Sequence, residues 1–85
     1  MYRVFFHKYA ENYYRKQNQK VRARLDKAFE YLKSNPYRGT NIKRLTGELS
    51  HLYRYRIGNL RILYEIHETS KIVRVKNIGP RGDIY

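Results

Sequence analysis

The sequence predicts an α+β fold in which a two-helix hairpin packs on one face of a mainly antiparallel four-stranded sheet. A segment rich in β-forming residues opens the chain, and two helical patterns follow it. Three β-like runs, separated by turn residues, then fill the second half. The element order is therefore β-α-α-β-β-β. We expect residues 1–85 to form a single domain, because a chain of 85 residues is too short for two.

The first half of the chain predicts one strand and two helices. Residues 2–6 are rich in aromatic and β-branched side chains, which favours a strand. Residues 8–17 predict the first helix. Apolar positions recur at i, i+4, i+7, i+8 and i+11 in the second helix, at Val21, Leu25, Ala28, Phe29 and Leu32. This helix is expected to end at Ser34-Asn35-Pro36, because the residue before proline avoids the helical region. Residues 37–47 are predicted to form a connection, with Ile42 and Leu45 facing inward.

The second half predicts three strands, at residues 52–57, 60–66 and 71–78. Gly58-Asn59 separates the first two and is typical of a two-residue hairpin turn of the primed type. Glu68-Thr69-Ser70 separates the next two, and Gly79-Pro80 is expected to end the last strand.

The Gly58-Asn59 turn predicts the register of the first hairpin. If the loop contains these two residues, Arg56 lies opposite Arg61. Successive side chains alternate between faces, so one face of the hairpin is apolar and aromatic and is expected to meet the helices. That face carries Tyr53, Tyr55, Ile57, Leu60, Ile62 and Tyr64. The opposite face carries Arg54, Arg56 and Arg61.

A directly opposed Arg56–Arg61 pair is unfavourable for a sheet because like charges repel. An anion between the two side chains would turn the repulsion into attraction. Phosphate suits arginine because the planar guanidinium donates two hydrogen bonds at once. The alternative is that both side chains extend into water and the face is merely soluble.

The composition favours a polyanionic partner. The chain carries 19 Lys and Arg against 7 Asp and Glu, a formal charge of +12. Nucleic acid is the leading partner, since cations that neutralise phosphates release counterions. A membrane surface is disfavoured because no basic amphipathic helix has an aromatic insertion edge, and an acidic protein partner stays open.

Cysteine and metal chemistry are not expected. The chain has no cysteine, and its 3 histidines are scattered, so we predict no disulfide, metal or other cofactor. No apolar run reaches transmembrane length and the N-terminus does not resemble a signal peptide, which predicts a cytoplasmic protein.

Three segments of the chain together resemble the RelE/ParE superfamily of bacterial and archaeal toxins. They are Lys43-Arg44-Leu45-Thr46-Gly47, the hairpin from Leu52 to Ile66, and the closing run from Val75 to Tyr85. The resemblance implies a toxin of a type II toxin–antitoxin system, neutralised by a cognate acidic RelB-like antitoxin. Operator DNA is then contacted only through the antitoxin complex. RelE-type members enter the ribosomal A site and cut mRNA without a metal. The 2′-hydroxyl attacks the 3′-phosphate, leaving a cyclic phosphate and a free 5′-hydroxyl.

The resemblance also implies the site residues. The basic positions of the hairpin match Arg54, Arg56 and Arg61, and the positions after the last strand match Arg81 and Tyr85. The placement of Arg81 rests on the resemblance alone. The predicted RNA-binding residues are Lys43, Arg44, Arg54, Arg56, Arg61 and Arg81.

This chain departs from the best-known RelE form, which has lysines where Arg54 and Arg56 stand. An arginine keeps its proton in proteins, so neither residue is expected to act as a general base. Their expected role is to stabilise the negative charge on the pentavalent phosphate. Tyr85 is then the remaining candidate base, if nearby arginines lower the pKa of its phenol. Arg81 is expected to stabilise or protonate the leaving oxygen.

Two other functions fit the same sequence. A ParE-like toxin without nuclease activity would act on DNA gyrase with the same fold, although such members usually lack the full set of arginines and tyrosine. A non-enzymatic nucleic-acid-binding module is the other alternative, because the net positive charge alone would suffice for that function.

Overall fold

The computed structural model describes residues 1–80 and shows two helices packed against one face of a sheet, as predicted. The elements are β1 (Arg3–Phe6), α1 (Lys8–Arg15), α2 (Gln19–Ser34), β2 (Ile42–Arg44), a 3₁₀ turn (Gly47–Leu49), β3 (Tyr53–Ile57), β4 (Leu60–His67) and β5 (Ile72–Pro80). Within these residues neither helix has the length and apolar character needed to cross a membrane.

The sheet of residues 1–80 has five strands in the order β1-β5-β4-β3-β2, so the predicted count of four was wrong. The additional strand is β2, which lies inside the segment predicted as a connection and pairs antiparallel with β3. Its three residues include two charges and show no alternation. The open edge of β3 supplies the hydrogen-bonding partner that makes this segment a strand, and such a partner is not visible in a local pattern.

The two helices begin with side-chain caps. The Asn18 side chain accepts a hydrogen bond from the Val21 N–H at 2.9 Å, and His7 Nδ1 accepts one from the Tyr9 N–H at 3.3 Å. These contacts satisfy amide groups that have no partner inside a helix. His7 therefore has a structural role at the start of α1. The predicted apolar stripe of α2 is confirmed, since Leu25, Ala28, Phe29 and Leu32 are all buried.

The predicted hairpin register is confirmed at every position. Ile57 pairs with Leu60 and Arg56 with Arg61, and the pairing continues to Tyr53 with Tyr64. Gly58 has a φ of +56°, which the turn requires at its first central residue. The side chains that meet the helices form what we call the helix-covered face, which comprises Tyr53, Tyr55, Ile57, Leu60, Ile62, Tyr64, Val73, Val75 and Ile78.

Strand β5 is longer than predicted and contains a bulge. Tyr64 pairs with Val75 whereas Leu63 pairs with Asn77, so Lys76 is an extra residue in β5. The strand continues through Gly79 to Pro80, where it was expected to end. Among the described residues β1 pairs only with residues 72–75 of β5, so Pro80 has a neighbouring strand on one side only, where proline is tolerated.

Candidate nucleic-acid interface

The face of the sheet opposite the helices gathers four of the predicted site residues. Strand register places Lys43 beside Arg54 and Arg56 beside Arg61. We call the surface formed by Lys43, Arg54, Arg56 and Arg61 the arginine face. Side-chain alternation along β2, β3 and β4 puts these four cations on one side of the sheet.

Burial differs sharply among the arginines of this face. Arg61 is 8% exposed, whereas Arg54 is half-buried and Arg56 is exposed. The Nε atom of Arg54 is buried and has no hydrogen-bond partner among residues 1–80. A buried donor without an acceptor costs about 1–3 kcal/mol, so this site favours a ligand that brings oxygen acceptors.

The row of the sheet that contains Arg61 ends in a glycine. Across β3, β4 and β5 this row consists of Arg56, Arg61 and Gly79. Glycine has no side chain, so the two arginines are the side chains that this row contributes to the face. A tetrahedral oxyanion fits such a pair because each guanidinium can donate two hydrogen bonds to it.

The far end of the same face contains a carboxylate among its cations. Glu65 Oε1 lies 3.0 Å from His67 Nε2 and 3.8 Å from Lys76 Nζ, and Arg74 is the register partner of Glu65. Glu65 is therefore in contact with the Lys76 ammonium group and with the His67 ring. Glu65 lies four residues along β4 from Arg61, roughly 13 Å at the usual rise of a strand. It is too distant to act on a phosphate held by Arg61.

Arg44 is separated from the other predicted RNA-binding residues. Its register partner is Tyr53, which belongs to the helix-covered face. Its guanidinium carbon lies 5.9 Å from the centre of the Tyr53 ring, and its Nε donates to the Ser50 carbonyl oxygen at 2.9 Å. Arg44 still borders a groove of about 260 Å³ together with Lys43 and Arg54. Its charged group, however, is already engaged.

The bulge in β5 adds polar side chains that the sequence did not single out. Val75 and Ile78 both face the helices, so Lys76 and Asn77 lie between them on the other side of the strand. Across the sheet, Asn77 is in register with Leu63, Arg54 and Lys43. Its side-chain oxygen accepts a hydrogen bond from the Ile78 N–H. A bulge leaves no regular signature in the spacing of residues, which explains why these positions were missed.

None of the described tyrosines with a perturbed pKa is suited to accept a proton. Hydrogen bonds to carboxylates raise the pKa of Tyr2, Tyr14 and Tyr37, and burial raises the pKa of Tyr64. Each is therefore held in its neutral form. Within residues 1–80 no group of three or more His, Asp or Glu side chains could hold a metal ion. The arginine face can bind a phosphate and stabilise negative charge, but its arginines are not proton acceptors.

The predicted site residues Arg81 and Tyr85 lie outside the described residues. The last described residue, Pro80, pairs with Leu60, which immediately precedes Arg61 on β4.

Comparison with known proteins gives a family match and several similar structures. The family described as "ParE toxin of type II toxin-antitoxin system, parDE" matches residues 2–85. No curated protein sequence matches the chain significantly.

Solved toxin structures share the fold. RelE in the archaeal RelE–RelB complex from Pyrococcus horikoshii OT3 is 24% identical, with a TM-score of 0.82 over 96% of this chain and 97% of that one. A chain of the toxin–antitoxin complex RelBE2 from Mycobacterium tuberculosis is 28% identical, with a TM-score of 0.81 over 94% and 98%. Isolated E. coli RelE is 23% identical, with a TM-score of 0.81 over 95% and 85%.

Proposed function

We propose that this chain, which belongs to the ParE toxin family of type II toxin–antitoxin systems, is an endoribonuclease that cleaves mRNA in the ribosomal A site. Cleavage would inhibit translation. The observation that carries the proposal is the direct pairing of Arg56 with a buried Arg61.

This pairing places two like charges opposite each other, and an anion between them would turn the repulsion into attraction. Like charges directly opposite each other destabilise a sheet, and burial removes water that would screen the charge of Arg61. A phosphodiester between the two guanidinium groups would supply both negative charge and acceptors. It would also offer an oxygen to the unpartnered Nε of Arg54. Lys43, beside Arg54 in the register, extends the same surface for a neighbouring phosphate.

The proposed reaction is an internal transesterification. The 2′-oxygen of one nucleotide loses its proton and forms a bond to the phosphorus of its own 3′-phosphate. The bond from phosphorus to the 5′-oxygen of the next nucleotide breaks, and that oxygen takes up a proton. The products are a 2′,3′-cyclic phosphate and a free 5′-hydroxyl. Arg54, Arg56 and Arg61 stabilise the charge that builds on the pentavalent phosphorus.

Tyr85 is the proposed general base, with Arg81 stabilising or protonating the leaving oxygen. The Tyr85→Phe change removes the acidic hydroxyl and is expected to lower cleavage by about 10²–10⁴, the usual range for a general base. Single-turnover cleavage of a bound mRNA measures this effect. Tyr9→Phe, at an exposed tyrosine of α1, is the matched control and should cleave at the wild-type rate. Wild-type cleavage by Tyr85→Phe would remove tyrosine from the mechanism.

A cognate antitoxin is the proposed partner. The net charge of +12 suits an acidic, RelB-like chain. The similar toxins from P. horikoshii and M. tuberculosis were solved as complexes with antitoxins. We further propose that residues 1–85 act as one domain in the cytoplasm and that operator DNA is contacted only through the antitoxin complex.

The family match itself supports a second candidate function. The matching family is described as ParE toxin, and a ParE-like protein would act on DNA gyrase without cutting RNA. In that case the arginine face would be dispensable for toxicity.

Primer extension on a defined mRNA, with and without programmed ribosomes, distinguishes the nuclease from the gyrase toxin. Cuts within the A-site codon that require ribosomes are expected for the wild type and should be lost in Arg61→Ala. A protein that arrests growth, cuts in neither condition and inhibits DNA supercoiling by gyrase would contradict the nuclease proposal.

A further inference from the structure

A second basic cleft lies between α2 and the turn of the β3–β4 hairpin. It has a volume of about 460 Å³ and is bordered by Arg24, Lys27, Tyr31, Tyr55, Arg56 and Gly58. We call it the hairpin cleft. It is reached from the helix side of the sheet, and it shares Arg56 with the arginine face.

The hairpin cleft concentrates positive charge without compensation. Arg24, Lys27 and Arg56 border it, and no acidic residue of the described chain does. In residues 1–80 none of these three cations forms an ion pair. Three like charges around one concave surface repel one another and raise the local concentration of anions.

Acidic residues are present on the same helix but lie elsewhere. Asp26 accepts a hydrogen bond from the Tyr14 hydroxyl at 2.8 Å, and Glu30 pairs with Lys33 at 2.6 Å. Asp26 borders grooves on the other flank of α2, beside Phe6 and Phe29. Helix α2 therefore separates its charges, and the basic flank is the one that faces the hairpin.

The fold brings Arg24 onto the turn itself. A Cβ atom at Gly58 would stand 2.5 Å from Arg24 Nη2, so the guanidinium occupies space that another residue type would fill. The φ of +56° requires glycine at position 58, and the missing side chain lets Arg24 lie against the turn. The result is a cation from α2 held against the hairpin turn, in a cleft that Arg56 also borders.

Two tyrosines give the hairpin cleft an ordered wall. The rings of Tyr31 and Tyr55 meet edge to face with centroids 5.8 Å apart. The Tyr31 hydroxyl donates to the Arg38 carbonyl oxygen at 2.7 Å, which fixes its ring. The hairpin cleft therefore combines cations with aromatic surface, a pairing that suits the phosphates and bases of a nucleic acid.

We propose that the hairpin cleft is a second RNA subsite, in which Arg24 and Lys27 bind a backbone phosphate and Arg56 links this subsite to the arginine face. This inference rests on the proposed action on RNA and adds a second point of contact. The phosphate comes either from the strand that is cut or from ribosomal RNA beside it.

The test compares two double variants of equal charge. Arg24→Gln with Lys27→Gln alters the hairpin cleft, and Lys8→Gln with Lys16→Gln removes two exposed cations of α1 and its C-terminus. Each lowers the formal charge from +12 to +10, since two cations become neutral. Binding is measured at several salt concentrations to a 2′-O-methyl RNA oligonucleotide, which cannot be cleaved, and to vacant ribosomes.

The cleft variant is expected to lose about 0.7 from the slope of log K against log salt for each lost contact to a single strand, about 1.4 for both. The α1 variant should keep the wild-type slope. A loss seen with the oligonucleotide assigns the phosphate to the cut strand, and a loss confined to ribosomes assigns it to ribosomal RNA. The charge-retaining variant Arg24→Lys with Lys27→Arg should restore binding if the cleft variant is folded, as thermal unfolding will show.

Equal slopes for the two Gln variants on both probes would overturn the proposal, because net charge would then explain the binding. The outcome is separable from that of the proposed function. A cleft-specific loss of RNA binding in a protein that cuts no mRNA would support the subsite and contradict the nuclease. Ribosome-dependent cleavage with equal slopes would support the nuclease and remove the subsite.

Discussion

The helix-covered face and the arginine face are built from alternate residues of the same strands, yet they treat polar groups in opposite ways. On the helix-covered face Tyr64 is fully buried, and its hydroxyl donates to the Pro36 carbonyl oxygen at 2.7 Å. On the arginine face, Arg54 buries an Nε donor that no described residue accepts. The helix-covered face satisfies the Tyr64 hydroxyl internally, and the arginine face leaves the Arg54 Nε donor available for a ligand.

The difference indicates that the helix-covered face stabilises this small protein and that the arginine face is suited to binding a ligand. Tyr31, Tyr37 and Tyr64 direct their hydroxyls to oxygen atoms of neighbouring segments, while their rings pack around the helix-covered face. The arginine face instead accepts an opposed pair of like charges. Changes on the first face should therefore alter folding, and changes on the second should alter activity.

The largest effect expected from this comparison is a loss of mRNA cleavage. Arg61→Ala, and likewise Arg81→Ala, should each lower mRNA cleavage by about 10²–10³, the usual loss for one donor that stabilises a transition state. Arg74→Ala, beside Glu65 at the far end of the same face, is the control and should cleave within a few-fold of wild type. Single-turnover cleavage on programmed ribosomes measures all three. Equal losses at Arg61 and Arg74 would mean that the whole charge of the face, rather than one site, matters.

The helix-covered face is tested by removing one hydroxyl. Tyr64→Phe leaves the buried Pro36 carbonyl without its donor and should cost about 1–3 kcal/mol of unfolding free energy. Tyr31→Phe removes the same type of hydrogen bond at an exposed position, where water replaces the donor, and should cost less. Urea denaturation gives both values. An equal cost for the two would show that burial does not set the strength of these contacts.

A smaller change in the unfolding free energy, of opposite sign to that of Tyr64→Phe, is expected at the opposed Arg56–Arg61 pair. Arg56→Ala relieves the repulsion with Arg61 and should leave the unfolding free energy unchanged or raise it by about 0.2–1 kcal/mol. Arg15→Ala, which breaks an exposed helical ion pair with Glu11, should lower it by about 0.3–0.5 kcal/mol. Thermal unfolding of both variants checks the signs. A clear loss of stability in Arg56→Ala would mean that the pair is not under repulsion.

The smallest effect concerns an exposed cluster at the end of the helix-covered face. Glu68 accepts hydrogen bonds from Lys71, Tyr2 and Tyr37, and these hold its pKa at about 2, below the ordinary value of 4.5. Because the pKa is lowered in the folded state, the stabilisation is complete above pH 4.5 and is lost as the pH falls toward 2.

Acid unfolding of the wild type and of Glu68→Gln tests this cluster. The variant should lose the Glu68 contribution at neutral pH, so the stability gap between the two proteins should close as the pH falls through this window. Glu48→Gln, at an exposed carboxylate, is the control and should follow the wild type. A gap that persists at low pH would show that the Glu68 charge does not strengthen these contacts.

Much of the fold followed from local patterns, and the reasons are physical. The stripe of α2 obeys the helical repeat, and the register of β3 and β4 follows from a two-residue turn. Both depend on residues close in sequence. The opposed Arg56–Arg61 pair was predictable for the same reason, because turn length and strand alternation determine it.

The sequence by itself thus determined the two helices, the hairpin and the core of the arginine face. Tertiary structure alone decided that β2 joins the open edge of β3, that β1 lies parallel to β5, and that a bulge places Lys76 beside Asn77. It also decided the burial of Arg61 and brought Arg24 of α2 onto the Gly58 turn. These features depend on contacts between segments far apart in the chain, whose partners are chosen by packing and by open hydrogen-bonding edges rather than by local spacing.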